Sequence, residues 1–223
     1  MRRLAIIALL TLIPMVTNAQ RIHAFVSSGM TLSQINGDEL RGFNQFGYTG
    51  GVGALVSISN NHRWGVSIEA LFSQRGAYST DDTRYYLYQL NIRSSYIETP
   101  VLVHWQDTRG GMLLGAGLSY GRLVEQPNGI IGFNPTFFYP DTTDKAFLSS
   151  DLMSVLDARF TIWRGLQLDL RWQYSLLPIK RDWMFYKYNG YGYDSDGNRV
   201  NRYITNTRNC YNNSIIVKLI WQF

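Results

Sequence analysis

The chain is poor in the residues that most active sites are made from. One cysteine, Cys210, among 223 residues excludes a disulfide framework and any cysteine-based zinc site. Three histidines leave little material for a His-rich metal centre, and no cofactor is expected. Charged residues are only 17% of the chain, and the formal charge of +5 falls to +3 once Arg2 and Arg3 leave with an amino-terminal leader. A balance that small does not supply the concentrated basic face of a nucleic-acid binder. After residue 19 no apolar run approaches the about 18 residues that would suggest a membrane-spanning helix. Yet 45% apolar content is too high for a disordered chain, and the length suits one domain or at most two.

The chain opens on a secretory leader pattern. Arg2 and Arg3 form a positive start, residues 4–16 are apolar, and Thr17-Asn18-Ala19 offers a small residue for cleavage. Cleavage is expected after Ala19, leaving 20–223 as a single domain. Pro14 and the short apolar run argue against an anchor helix.

Alternation dominates the rest of the chain. In 166–176, Leu166, Leu168, Leu170, Trp172, Tyr174 and Leu176 are separated by Gln167, Asp169, Arg171, Gln173 and Ser175. Successive side chains of a strand point to opposite faces, so one face is apolar and the other polar. The same pattern runs through 22–33, 46–59, 64–75, 96–106, 111–123, 151–163 and 212–223. Eight strands of 11 to 14 residues result. Soluble strands average about 5 to 6 residues, whereas a tilted bilayer-crossing strand needs about 9 to 11. The connections alternate too: short at 60–63, 107–110 and 164–165, long at 34–45, 76–95, 124–150 and 178–211. Short periplasmic turns, long external loops and periplasmic termini are the pattern of a bacterial outer-membrane barrel. The sequence therefore predicts an all-β, eight-stranded, antiparallel up-and-down transmembrane β-barrel. Trp64, Trp105, Trp163, Trp221 and Phe223 lie beside short turns or at the carboxyl end, and are expected as an aromatic girdle at the periplasmic rim.

An eight-stranded barrel is just wide enough for side chains to fill it. The inward set holds Glu69, Glu98, Asp157 and Asp169 against Arg75, Arg159, Arg171 and Lys218. Buried charges persist when paired, so these eight are expected to form an ion-pair network that plugs the lumen. Small residues at Gly51, Gly53, Gly115 and Gly117 would make room for it. Pro100, which cannot donate to a ladder, is expected to bring a bulge or locally broken pairing.

Enzymatic constellations are thin. His104 shares a face with Glu98, and Ser67, Ser73 and Ser119 are inward candidates for a nucleophile, but spacing does not bring them together. A hydrogen-bonded lumenal histidine is the expectation, and no catalysis. Asp194-Ser195-Asp196-Gly197-Asn198 has its glycine in the fourth place and Thr205 in the twelfth, which suits a tight turn and not a calcium loop. Cys210 is expected as a lone thiol. The last two long connections are rich in aromatics, with Phe137 and Tyr139 in one and Trp183, Tyr186, Tyr191 and Tyr193 in the other, beside Arg181, Arg199, Arg202 and Arg208. Aromatics and arginines concentrate at interaction hot spots, so these are read as a contact surface for protein, glycan or lipopolysaccharide, or else as hairpins continuing the strands above the membrane.

Four segments carry a family resemblance: the leader end Asn18-Ala19-Gln20, the run from Glu69 to Ala77, Tyr96-Ile97-Glu98-Thr99-Pro100, and the terminal Ile220-Trp221-Gln222-Phe223. With these the chain resembles the PorT-like outer-membrane β-barrel family of the Bacteroidota (outer membrane protein beta-barrel domain, porin-family-like). The resemblance implies outer-membrane lipid or lipopolysaccharide and the barrel-insertion machinery as partners. It also implies a non-enzymatic role supporting protein export, of the type IX secretion kind, with secretion-apparatus proteins as further partners, or envelope assembly through the long loops. A surface barrel that binds an external ligand through its aromatic loops is the alternative.

Overall fold

The computed structural model describes residues 22–38, 42–59, 61, 63–78, 88–107, 111–125, 130–133 and 147–223, with backbone alone for 88–90, 130–133, 184–188, 201 and 203–206. Ten strands lie among them: β1 (Ile22–Asn36), β2 (Gln45–Ser57), β3 (Trp64–Tyr78), β4 (Tyr88–Gln106), β5 (Met112–Glu125), β6 (Ile130–Phe133), β7 (Ser150–Trp163), β8 (Leu166–Ser175), β9 (Lys180–Tyr193) and β10 (Arg199–Gln222). Eight of them pair in the order β1-β2-β3-β4-β5-β7-β8-β10, all antiparallel, and β10 pairs back onto β1. The sheet is thus a closed eight-stranded barrel. Its seam runs from Phe25 opposite Gln222 to Asn36 opposite Tyr211. Closure leaves the barrel wall without an edge.

The period-two pattern decides which side of the wall is apolar. Ile68, Leu118 and Leu219 face outward and are each at least half exposed, whereas Ser67, Ser119 and Lys218 beside them face inward and are buried. Aromatics ring both ends of this outer band. At the turn end Trp64 stands opposite Trp105, and Trp163, Trp221 and Phe223 complete the ring. At the loop end stand Phe46, Tyr48, Tyr78 and Tyr120, with Tyr174 stacked on Tyr211 at 6.2 Å between centroids. From Tyr211 to Trp221 the outward row spans ten residues. At about 3.3 Å each and a tilt of about 40°, that is roughly 25 Å, the height of an apolar belt matched to an outer membrane.

The strands run further than the alternation suggested. β4 begins at Tyr88 and β10 is 24 residues long. Two extra strands, β6 on the upper part of β4 and β9 on the upper part of β10, lie beyond the eight of the wall. Most of the last long connection is therefore a β9–β10 hairpin, about 45 Å of strand at ordinary rise. At Pro100 the β3–β4 ladder keeps its register from Ile68–Val101 to Leu71–Glu98 but loses the rungs between them, where Glu69 and Ala70 would face Pro100 and Thr99. The pairing is locally broken there, and the register shift of β4 lies instead at Ser95/Tyr96 on the β5 side. Arg164, with φ 43°, makes the tightest turn, between β7 and β8.

Candidate functional site

The inward residues form two charged layers and an apolar cap. In the layer nearer the turn end, Glu69 on β3 reaches across the lumen to three strands. Its Oε1 accepts from Arg159 Nη2 at 2.6 Å and Arg171 Nη2 at 2.7 Å, and its Oε2 from Lys218 Nζ at 2.8 Å and Arg171 Nη1 at 3.1 Å. Asp157 accepts from Arg171 at 3.1 Å and from Arg159 Nε at 3.2 Å. Asp169 sits 3.3 Å from both Arg171 and Lys218. The guanidinium of Arg159 also lies over the Phe25 ring, 5.1 Å from its centroid. Gly115 and Gly53 make space: a Cβ on the first would overlap Asp157 and His104, and on the second the Phe25 ring.

In the next layer Arg75 is paired with Glu98 and lies 3.5 Å from Asp151. Asn212 donates to Asp151 at 2.8 Å and to the Tyr96 hydroxyl at 3.4 Å. All eight charged residues expected in the lumen are here, none more than 5% exposed. Asp151 is the one missed. Its signal was parity, since it shares the face of Asp157 six residues on. With it the layers hold five carboxylates against four basic groups. Such a set is held by Coulomb attraction and multiple hydrogen bonds that offset a large desolvation penalty.

His104 has found partners that spacing did not reveal. Its Nε2 is 2.7 Å from Ser67 Oγ and its Nδ1 is 3.5 Å from Asp157 Oδ1. Glu98, its companion on the same face, belongs instead to the Arg75 layer. Ser, His and Asp are the residue types of a nucleophilic site, yet Ser67 is wholly buried. A cavity of about 360 Å³ at the turn end touches His104, Gln106, Gln167 and Gln222 but stops short of Ser67. A nucleophile needs a reacting atom within reach, and this one has the histidine between itself and the opening.

At the loop end the interior turns apolar. Ile35, Ala77, Ile92, Tyr96, Leu123, Phe147, Ile179, Trp183 and Cys210 form one buried cluster. Phe147 and Trp183 meet edge to face at 5.8 Å, and Lys180 Nζ lies 4.4 Å from the Trp183 ring centroid and 4.9 Å from that of Phe147. Trp183 was expected on the loop surface and is instead part of this cap. Asp182, with φ 52°, and the shift between Arg208 and Cys210 reset the alternation, so that Lys180 and Trp183 both point inward. Cys210 is buried within this cluster.

Of the aromatics expected on the loop surface, Tyr191 and Tyr193 are 56% and 73% exposed, with the Arg199 guanidinium 3.5 Å from the Tyr191 centroid. Phe137 and Tyr139 lie outside the described residues, as does the side chain of Tyr186. Between Tyr193 and Arg199 the Asp194 carboxylate accepts from the backbone amides of Asn198 at 2.7 Å and Asp196 at 3.0 Å. These bonds, led by that from Asn198, hold the Asp194 carboxyl below its ordinary pKa. Its oxygens close the turn themselves, and Gly197 with φ 81° supplies the left-handed residue.

A family model described as "Outer membrane protein beta-barrel domain" matches residues 18–180, and the chain belongs to that family. No curated protein matches. Among solved structures the chain is similar to Ail, the attachment invasion locus protein of Yersinia pestis (12% identity, 90% of this chain and 98% of that one, TM-score 0.45). It is likewise similar to a major outer membrane protein of Thermus thermophilus (14% identity, 92% and 100%, TM-score 0.45). A third is Neisserial surface protein A (12% identity, 92% and 100%, TM-score 0.43).

Proposed function

We propose that this member of the outer membrane protein β-barrel domain family is a non-enzymatic, non-conducting barrel that presents a binding hairpin at the cell surface. Its leader is removed after Ala19, its short turns and both ends face the periplasm, and its long connections face outward. The observation that carries the reading is the β9–β10 hairpin, which lifts exposed Tyr191, Tyr193 and Arg199 away from a barrel whose lumen is crossed by ion pairs. Tyrosine and arginine supply large, rigid, amphipathic contact area, and a strand pair standing on a closed barrel holds them in place. The burial of Ser67, outside the lining of the turn-end cavity, supports a binding role over a hydrolytic one.

The test is whole-cell binding to host-surface and glycan arrays by a strain in which residues 188–203 are replaced by a two-residue turn. That deletion leaves Trp183 and the apolar cap in place. Loss of binding with an intact barrel is the expected outcome, and unchanged binding refutes the reading. The export role implied by the PorT-like resemblance rests on the sequence segments that carry it. It is decided by the secreted proteome of a deletion strain. If that proteome matches the parent's, the chain does not serve export.

A further inference from the structure

The β4–β5 side of the wall carries exposed charge at its loop end. Along the outer row of β5, Leu114, Ala116 and Leu118 are followed by Tyr120 and then by Arg122, which is exposed. Arg122 stands in register with Ser150 on β7 and with Ile97 on β4. The Tyr120 hydroxyl lies 3.0 Å from Ser150 Oγ and accepts a hydrogen bond from Arg122. Further out, Arg93 on β4 is exposed at the level of Gly76. The neighbouring acidic group is Glu125, opposite Ser95. On the far wall the girdle itself is neutral, with Trp172, Tyr174, Tyr211, Asn213, Phe46 and Tyr48, and the exposed Arg208 of β10 stands beyond it.

We propose that Arg122, with Tyr120 and Ser150, binds the phosphate of an outer-leaflet lipid headgroup, so that the barrel carries one oriented anionic lipid on its β4–β5–β7 wall. A guanidinium on a lipid-facing wall is unfavourable in the acyl region and is tolerated at the headgroup level, where an anion meets it. Its planar fork matches two phosphate oxygens. The bond to Tyr120 fixes one edge of that fork in advance, and since Tyr120 and Ser150 bond each other, one hydroxyl proton remains to donate beside it. Leu118 below it and Ile97 beside it are each at least half exposed and offer the same lipid an apolar surface for its chains. That continuity from cation to apolar wall, on a rim placed in the outer leaflet, favours lipid A over free phosphate. The proposal rests on the orientation proposed above, which places this rim in the outer leaflet.

The experiment uses the full refolded barrel and native mass spectrometry with lipid A, dephosphorylated lipid A, phosphatidylglycerol and inorganic phosphate. Wild type should retain lipid A about tenfold more tightly than its dephosphorylated form, as expected for a charge-assisted bidentate contact. Arg122→Gln should erase that difference and Arg122→Lys should keep part of it, while Trp172→Phe on the far wall should change nothing. The proposal fails if Arg122→Gln binds lipid A as wild type does, if dephosphorylated lipid A binds equally, or if millimolar phosphate displaces the lipid. Preference for phosphatidylglycerol over lipid A also overturns it. Asp196→Cys, probed with an impermeant maleimide on whole cells, tests the orientation separately; Cys210 is buried and adds little background.

Discussion

The two halves of the interior solve the same packing problem with opposite chemistry. Below, where the outer face meets lipid, the lumen is filled by Glu69, Arg159, Arg171, Lys218 and their partners. Above, where the wall rises past the girdle of Tyr174 and Tyr211, the interior is Ile35, Ile92, Phe147, Ile179 and Trp183. The same strands supply both: β10 points Lys218 inward low down and Cys210 inward high up. What separates them is the solvent outside. Strand residues must alternate between faces, so a strand that shows apolar groups to lipid keeps its polar ones for the lumen. Once the wall enters water, an ordinary core becomes possible and the hairpin can be anchored by the hydrophobic effect.

If the halves are held by different forces, they should break differently. The largest effect is expected for Glu69→Gln, which leaves Arg159, Arg171 and Lys218 short of charge. It should cost about 4 kcal/mol and abolish the heat-resistant folded band in detergent gels. Arg171→Leu should follow at about 3 kcal/mol, since it strips partners from Glu69, Asp157 and Asp169 together. A variant of either kind that melts with wild type would mean the lower layer contributes little. Trp183→Ala should cost about 3 kcal/mol of local stability yet leave the barrel melting unchanged, with faster amide exchange at Ile179, Cys210 and the hairpin only. Exchange that spreads to β3 would show the two halves to be one cooperative unit. Ser67→Ala, removing one hydrogen bond to His104, should cost about 1 kcal/mol.

The smallest effect concerns acid. The Asp194 carboxyl is held below its ordinary pKa by the Asn198 amide, so its contribution is complete above the unfolded value. It is lost only as pH falls through the depressed folded value, below the usual aspartate range of about 4. Limited proteolysis of the tip should therefore be the same at pH 7 and pH 5 and quicken near pH 3. Quickening already by pH 5 would show that the turn is held by something else.

Much of this contrast was legible in the residues. Parity in 166–176 and 64–75 assigned Asp169, Arg171 and Glu69 to the lumen, and alternating connection lengths implied closure, because a period of two is a local property. Trp183 was not legible. One left-handed residue, Asp182, resets the alternation beside it, and no pattern on either side announces that. The pairing of His104 with Ser67 and Asp157 was likewise hidden, because register across three strands is a global property. Asp151 was within reach of parity but lay at a strand start, where the end of the alternation is ambiguous by several residues.

The seam has a consequence for biogenesis. The amide of Phe223 donates to the carbonyl of Ala24, and β1 is zipped to β10 along its length. Strand β1 therefore stays half-paired until β10 reaches it. Every intermediate length exposes two unpaired edges and a row of apolar side chains with nothing to cover them. Closing the seam joins residues as far apart in sequence as Phe25 and Gln222, so the last edge disappears only when the most distant pairing forms.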